Sequence, residues 1–76
     1  MTNKELLKAK IKEKGVKKGF LVKKLGTSYH WLNKKIENEK EFKASEIETL
    51  CEVLGITDLK ERNEIFFTKN VEKSST

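Results

Sequence analysis

An all-α fold is predicted by three features of this 76-residue chain. It contains no Pro, its apolar residues recur at spacings of three and four, and its glycines stand where those apolar stripes end. With 38% charged and 36% hydrophobic residues, the composition fits a small soluble helical domain better than a disordered or strand-rich chain. One domain is expected, near the size at which a single core is marginally stable, and no large pocket fits inside it. The expected limits are residues 1–67 for the folded domain and 68–76 for a polar tail without periodicity.

Helix one opens at Thr2, where Thr2 followed by Glu5 is a capping-box pattern, and its stripe of Leu6, Leu7 and Ile11 ends at Gly15. Its lysines at 8, 10, 12 and 14 spread around the helix and read as solvated surface, with Lys14 a candidate phosphate contact beside the second helix. Helix two carries Leu21, Val22 and Leu25 and stops at Gly26, a residue free to take positive φ. Gly19 falls within its start, at a cost of about 0.5 to 1 kcal/mol relative to Ala. It either admits a phosphate close to the backbone or is simply tolerated.

Helix three follows almost at once, so the two helices should cross steeply. The Ser28 hydroxyl is placed to accept from its free amides, and Leu32 and Ile36 define its inner face. At about 100° per residue, His30, Lys34 and Glu37 fall on the far side. Tyr29 and Asn33 occupy one flank, and Trp31 with Lys35 the other. Such side chains suit a major groove: His, Asn and Lys meet base edges, aromatic rings pack on sugars or a thymine methyl, and Lys neutralises phosphates. A carboxylate at Glu37 could accept from a cytosine amine.

A charged connector, Glu39 to Lys43, then contains Phe42, read as an anchor that tucks the loop onto the core. Helix four has a second capping box, Ser45 with Glu48, and a stripe of Ile47, Leu50, Cys51 and Leu54 ending at Gly55. Helix five opens at Asp58, with Glu61 three residues on, and has Leu59, Ile65, Phe66 and Phe67 as its apolar residues. Two adjacent Phe cannot both face one core, so one should complete it and the other stay free for a contact or as ordinary exposed surface.

Net charge is +5, but it is unevenly placed. Residues 1–43 hold thirteen Lys against five Glu, a net +8, whereas residues 44–76 hold three Lys and one Arg against seven acids, a net −3. The cationic part would turn toward a polyanion and hasten the encounter. Other classes fit poorly. Single His30 and single Cys51 leave no metal cluster and no intramolecular disulfide. Cys51 reads as a packed thiol. The four glycines are spaced as helix ends and turns, not as a phosphate loop. Ser28 and His30 point different ways and form no nucleophile–base pair, so no catalytic residue, cofactor or small-molecule substrate is expected. With no apolar run of about 20 residues and no apolar leader, no membrane association is expected, and the cytoplasm is the expected compartment.

The run from Gly15 through Val22, Lys23-Lys24-Leu25-Gly26, Ser28, Leu32 and Lys35-Ile36 resembles the Cro/repressor (XRE-like) helix-turn-helix family of phages and bacteria. The resemblance covers about residues 3–66 and implies a compact five-helix, lambda-repressor-like domain, dimeric on double-stranded DNA, whose third helix reads the major groove. Carried over by position, it implies base reading by Ser28, Tyr29, His30, Asn33 and Lys34. It implies phosphate contacts at Lys18 and, along the connector, at Asn38, Lys40 and Lys43; Lys17 and Lys35 are further expected phosphate contacts. It also implies a homodimer contact at Phe66 and Phe67. Many members of that family have Gln where Lys18 stands, touching both a phosphate and a reading side chain; Lys18 is expected to keep only the electrostatic part. Many also have a small residue at the position of Val22 and Gly at that of Asn38, where Asn still tolerates the left-handed conformation.

The function so implied is a sequence-specific transcriptional regulator, of phage or prophage repressor type, on a palindromic operator. The alternative is a protein-interaction module on the same scaffold, an antirepressor or small inhibitor, for which Phe20, Tyr29 and Trp31 would supply the aromatic surface a protein partner favours.

Overall fold

The computed structural model describes residues 1–68. Five helices follow in order: α1 (Lys4–Lys14), α2 (Lys18–Leu25), α3 (Tyr29–Ile36), α4 (Ala44–Leu54) and α5 (Leu59–Phe66). The described residues contain no strand. α2 packs on α3 and α4, and α1 packs on α4 and α5.

One core joins them. Leu7, Leu21, Leu32, Leu50 and Leu54, one or more from each of α1 to α4, are almost fully buried, and Ile65 and Phe66 close it from α5. Each such side chain contributes about 1.5 to 3 kcal/mol through its removal from water. Phe42 anchors the connector as expected, meeting Phe66 edge to face at 5.9 Å.

Helix ends follow the sequence at their C-termini more faithfully than at their N-termini. Gly15, Gly26 and Gly55 all take the left-handed conformation at the ends of α1, α2 and α4. At the start of α1 the cap is Asn3 rather than Thr2: Asn3 Oδ1 accepts from the Leu6 amide at 3.1 Å. Thr2 is instead buried, with its backbone held from outside the helix. α4 begins before Ser45, at Ala44, with Lys43 in the capping position. A Lys side chain has no acceptor, so only half a capping box forms there, Glu46 accepting from the Lys43 amide at 2.8 Å. α5 is capped by Asp58 as expected, the carboxylate accepting from the Lys60 amide at 3.2 Å.

Two ties shape the ends of the fold. The backbone of Met1 pairs with Thr68, and the Asn3 amide donates to the Ile65 carbonyl at 2.7 Å. Lys10 reaches Glu61 at 2.6 Å and joins α1 to α5. Of the polar tail expected over 68–76, residues 69–76 lie outside the described residues. Among the described residues no helix is long and apolar enough to cross a membrane.

Candidate nucleic-acid interface

α3 is held by its inner face. Leu32 and Ile36 are 1% and 2% exposed, and Ser28 Oγ accepts from the Trp31 amide at 3.2 Å, fixing the first turn. With that face sunk, Tyr29, His30 and Asn33 are exposed along the outer side, and Lys34 is half-buried. Ser28 spends its oxygen on the cap and keeps its O–H as a donor. Of the residues expected to read bases, Ser28, Tyr29, His30 and Asn33 are exposed and Lys34 is partly covered.

The flank of α3 that faces α2 is more organised than expected. Lys18 Nζ donates to Asn33 Oδ1 at 2.8 Å. Lys18 was expected to keep only an electrostatic role; its four-carbon stem also reaches across the turn to the amide of Asn33, a candidate base-reading side chain. Tyr29, one turn before Asn33, lies back over α2. Its Oη is 2.8 Å from where a Cβ on Gly19 would be. A side chain at Gly19 would therefore meet the end of the exposed Tyr29 ring, which would have to shift aside.

The first amides of α2 receive no side-chain cap from Lys17, and no acid stands in the first turn. Unfilled donors at a helix start, beside Lys17 and Lys18, favour an anion.

On the opposite flank, Trp31 is 42% exposed. The Lys40 ammonium lies 5.1 Å from the centre of its ring, and His30 meets it edge on at 5.8 Å. A shallow hollow of about 530 Å³ opens here between the turn and the connector, with Thr27, Trp31, Lys40 and Lys43 among its walls. Lys17, Lys40 and Lys43 are exposed and have no acidic partner among the described residues. Lys34 shares its charge with Glu39 at 3.2 Å.

Two side chains expected at phosphates, Lys35 and Asn38, and Glu37, for which no role was assigned, are engaged within the fold. Lys35 is turned inward: its ammonium is 2.6 Å from Glu46 on α4, with the two side chains 11% and 13% exposed. Burial pushes the Glu46 carboxyl up, but the Lys35 ammonium and the Lys43 amide outweigh it and hold it below the usual carboxylate range. Asn38 takes φ 67°, as its type allows, yet both ends of its amide are consumed by Thr2. Oδ1 accepts from the Thr2 amide and Nδ2 donates to the Thr2 carbonyl, each at 2.8 Å. Glu37 leaves the groove side and pairs with Lys4 and Lys8 of α1 at 2.7 and 3.0 Å. Hydrogen bonds from those two ammoniums lower its pKa.

Lys14, too, is turned elsewhere. Its ammonium lies 3.6 Å from the position of a Cβ on Gly55, at the C-terminal end of α4, where a cation is favoured.

At the far end of the molecule the Phe pair divides. Phe66 is 3% exposed and belongs to the core, so it is withdrawn as a dimer contact, while Phe67 is 50% exposed with the Arg62 guanidinium 5.5 Å from its ring centre. Leu59 is 62% exposed rather than packed. Cys51 is only partly covered, against the core, and burial pushes its thiol up.

Comparison with known families agrees with this geometry. A family model described as a Cro/C1-type HTH DNA-binding domain matches residues 6–61. No curated protein and no solved structure matches the chain.

Proposed function

Because the chain belongs to the Cro/C1-type helix-turn-helix DNA-binding family, we propose that it is a repressor-type transcriptional regulator which binds a palindromic operator as a symmetric dimer. α3 enters the major groove, and the cations on either side of it seat the phosphate backbone.

The observation that carries this reading is the arrangement around α3. Tyr29, His30 and Asn33 are exposed in a row, with Lys17 and Lys18 beyond one flank and Lys40 and Lys43 beyond the other. Cations on both sides of a reading helix match the two phosphate backbones that border a major groove. In this reading His30, Asn33 and the free O–H of Ser28 meet base edges, Lys34 does so with a charge moderated by Glu39, and the Tyr29 ring stays at the border with α2. Phe67, exposed at the end of α5, is the residue proposed for the contact between protomers. Two half-sites about 34 Å apart would multiply the few base contacts that one such domain can make.

The test is retention of a random duplex library at two salt concentrations, followed by sequencing of the retained fraction. An enriched palindrome with half-sites near one helical turn apart supports the proposal. Retention without enrichment reduces it to nonspecific binding. A second reading draws on Trp31 and Phe20, which are 42% and 47% exposed and would suit a protein partner. Absence of retention at either salt would favour that reading.

A further inference from the structure

Among the candidate base-reading residues Lys34 alone meets an acid within the described residues: its Nζ donates to Glu39 Oε1 at 3.2 Å. Glu39 lies beyond the end of α3, and the backbone brings it back against the last turn. Asn38 takes φ 67°, the Glu39 amide donates to the Lys34 carbonyl at 2.8 Å, and the Lys40 amide reaches the same carbonyl at 3.3 Å. A left-handed residue followed by a bond of this span turns the chain back over a helix end. The main chain therefore sets the carboxylate beside Lys34, although the Glu39 side chain is 61% exposed.

An exposed pair of this kind adds little to stability, so its effect belongs to binding. A lysine stem is flexible, and a free ammonium at the end of α3 can reach either a base edge or a phosphate. Every duplex offers phosphates, so the second choice carries no sequence information. With one of its three donors on Glu39, the ammonium is kept at the surface of α3. Two donors remain for a base edge with two acceptors, as guanine presents at N7 and O6. A carboxylate held there also repels a phosphate that approaches Lys34. Orientation before binding then favours the base contact over the phosphate contact.

Resting on the DNA-binding reading above, we infer that Glu39 is a specificity-determining residue: it positions the Lys34 ammonium for one base pair of each half-site and opposes its transfer to the phosphate backbone. Glu39 thus weakens binding to duplexes of any sequence and sharpens the choice among them. Glu41 supplies the comparison, being exposed on the same connector with no cationic partner among the described residues. It has the charge of Glu39 without the pair.

The experiment combines site selection from a random duplex library with retention of one random-sequence duplex, for the wild-type chain, Lys34→Ala, Glu39→Ala and Glu41→Ala, each first shown to be helical by circular dichroism. Lys34→Ala identifies the base pair concerned, as the position at which preference flattens. Glu39→Ala should lower the preference at that pair by roughly fivefold, the low end of what one good base contact discriminates, and should retain more of the random-sequence duplex than the wild type. Glu41→Ala should leave that preference unaltered. A preference unchanged in Glu39→Ala, an equal fall in Glu41→Ala, random-sequence retention that Glu39→Ala does not raise, or no position that responds to Lys34→Ala would each overturn the inference alone. Preference lost in Glu39→Ala only at a pair that Lys34→Ala leaves intact would make Glu39 itself the reader and overturn it as well. Failure of the wild type to retain any duplex would overturn the DNA-binding reading and the inference with it.

Discussion

The hydroxyl of Tyr29 occupies space that a side chain at Gly19 would need: Oη is 2.8 Å from the Cβ position, while the next ring atom, Cζ, is at 4.0 Å. One oxygen atom thus couples the start of α3 to the first turn of α2. Gly19→Ala should gain helix propensity but displace Tyr29. In a Tyr29→Phe background the obstacle is gone and ordinary packing remains. A double-mutant cycle by urea denaturation should therefore show a coupling of about 0.5 to 1 kcal/mol, with Gly19→Ala more favourable beside Phe than beside Tyr. Additive effects would mean that the ring does not rest there.

Asn38 is expected to matter for stability and not for phosphate binding. Asn38→Ala removes both bonds to Thr2 and places a Cβ at positive φ, for a cost of about 2 to 3 kcal/mol. Asn38→Gly removes the same bonds without the backbone strain and should cost about 1 kcal/mol less. The check is chemical denaturation, together with a salt dependence of DNA binding that neither folded variant alters.

Lys35 and Lys40 should separate in the same way. Taking one cation away from a phosphate lowers the slope of log affinity against log salt by about 0.9. Lys40→Ala should show that decrease with little change in stability. Lys35→Met should leave the slope unchanged and destabilise the fold by about 1 to 2 kcal/mol, because Glu46 is left half-buried without its partner.

The Glu46 carboxyl also gives the fold an acid limit. Its folded pKa lies below the ordinary value, so its contribution to stability is complete above the ordinary carboxylate pKa and is lost as pH falls through the depressed folded value. Between about pH 5 and pH 3, stability of the wild type should therefore fall more steeply than that of Glu46→Gln, which has no such proton to bind. Equal slopes in denaturation midpoint against pH would remove this role from the pair.

Phe66 and Phe67 should respond differently to truncation. Phe66→Ala opens the core and should cost about 3 to 5 kcal/mol. Phe67→Ser should leave thermal stability nearly unchanged and weaken self-association on operator DNA, read by sedimentation or by cooperativity of binding. Unaltered cooperativity would move the contact between protomers elsewhere.

Much of this protein was legible before folding because it depends on neighbours in the chain. Left-handed glycines end α1, α2 and α4 at the positions where the apolar stripes break, since the residue that tolerates positive φ is known from its type alone. Ser28, Leu32 and Ile36 define α3 in the same local manner: a cap acts within three residues, and a 3.6-residue period names the inner face. The net +8 of the first 43 residues is likewise read without any coordinates, and with the helix-turn-helix pattern it points to a polyanion.

What the period could not supply was the identity of the group opposite each polar side chain. Lys35 and Lys40 look alike as sequence, yet only Lys35 meets Glu46, eleven residues away on another helix. Asn38 was recognisable as a residue for positive φ, but Thr2, thirty-six residues distant, decides that its amide is spent. The angle of a side chain around its own helix is a local property. Whether that side chain is free to bind is a property of what packs against it. For this chain, sequence alone determined the helices, the turn and the sign of the surface. Tertiary structure decided which polar side chains are engaged within the fold, because ion pairs and side-chain amide hydrogen bonds between distant segments take up some of them.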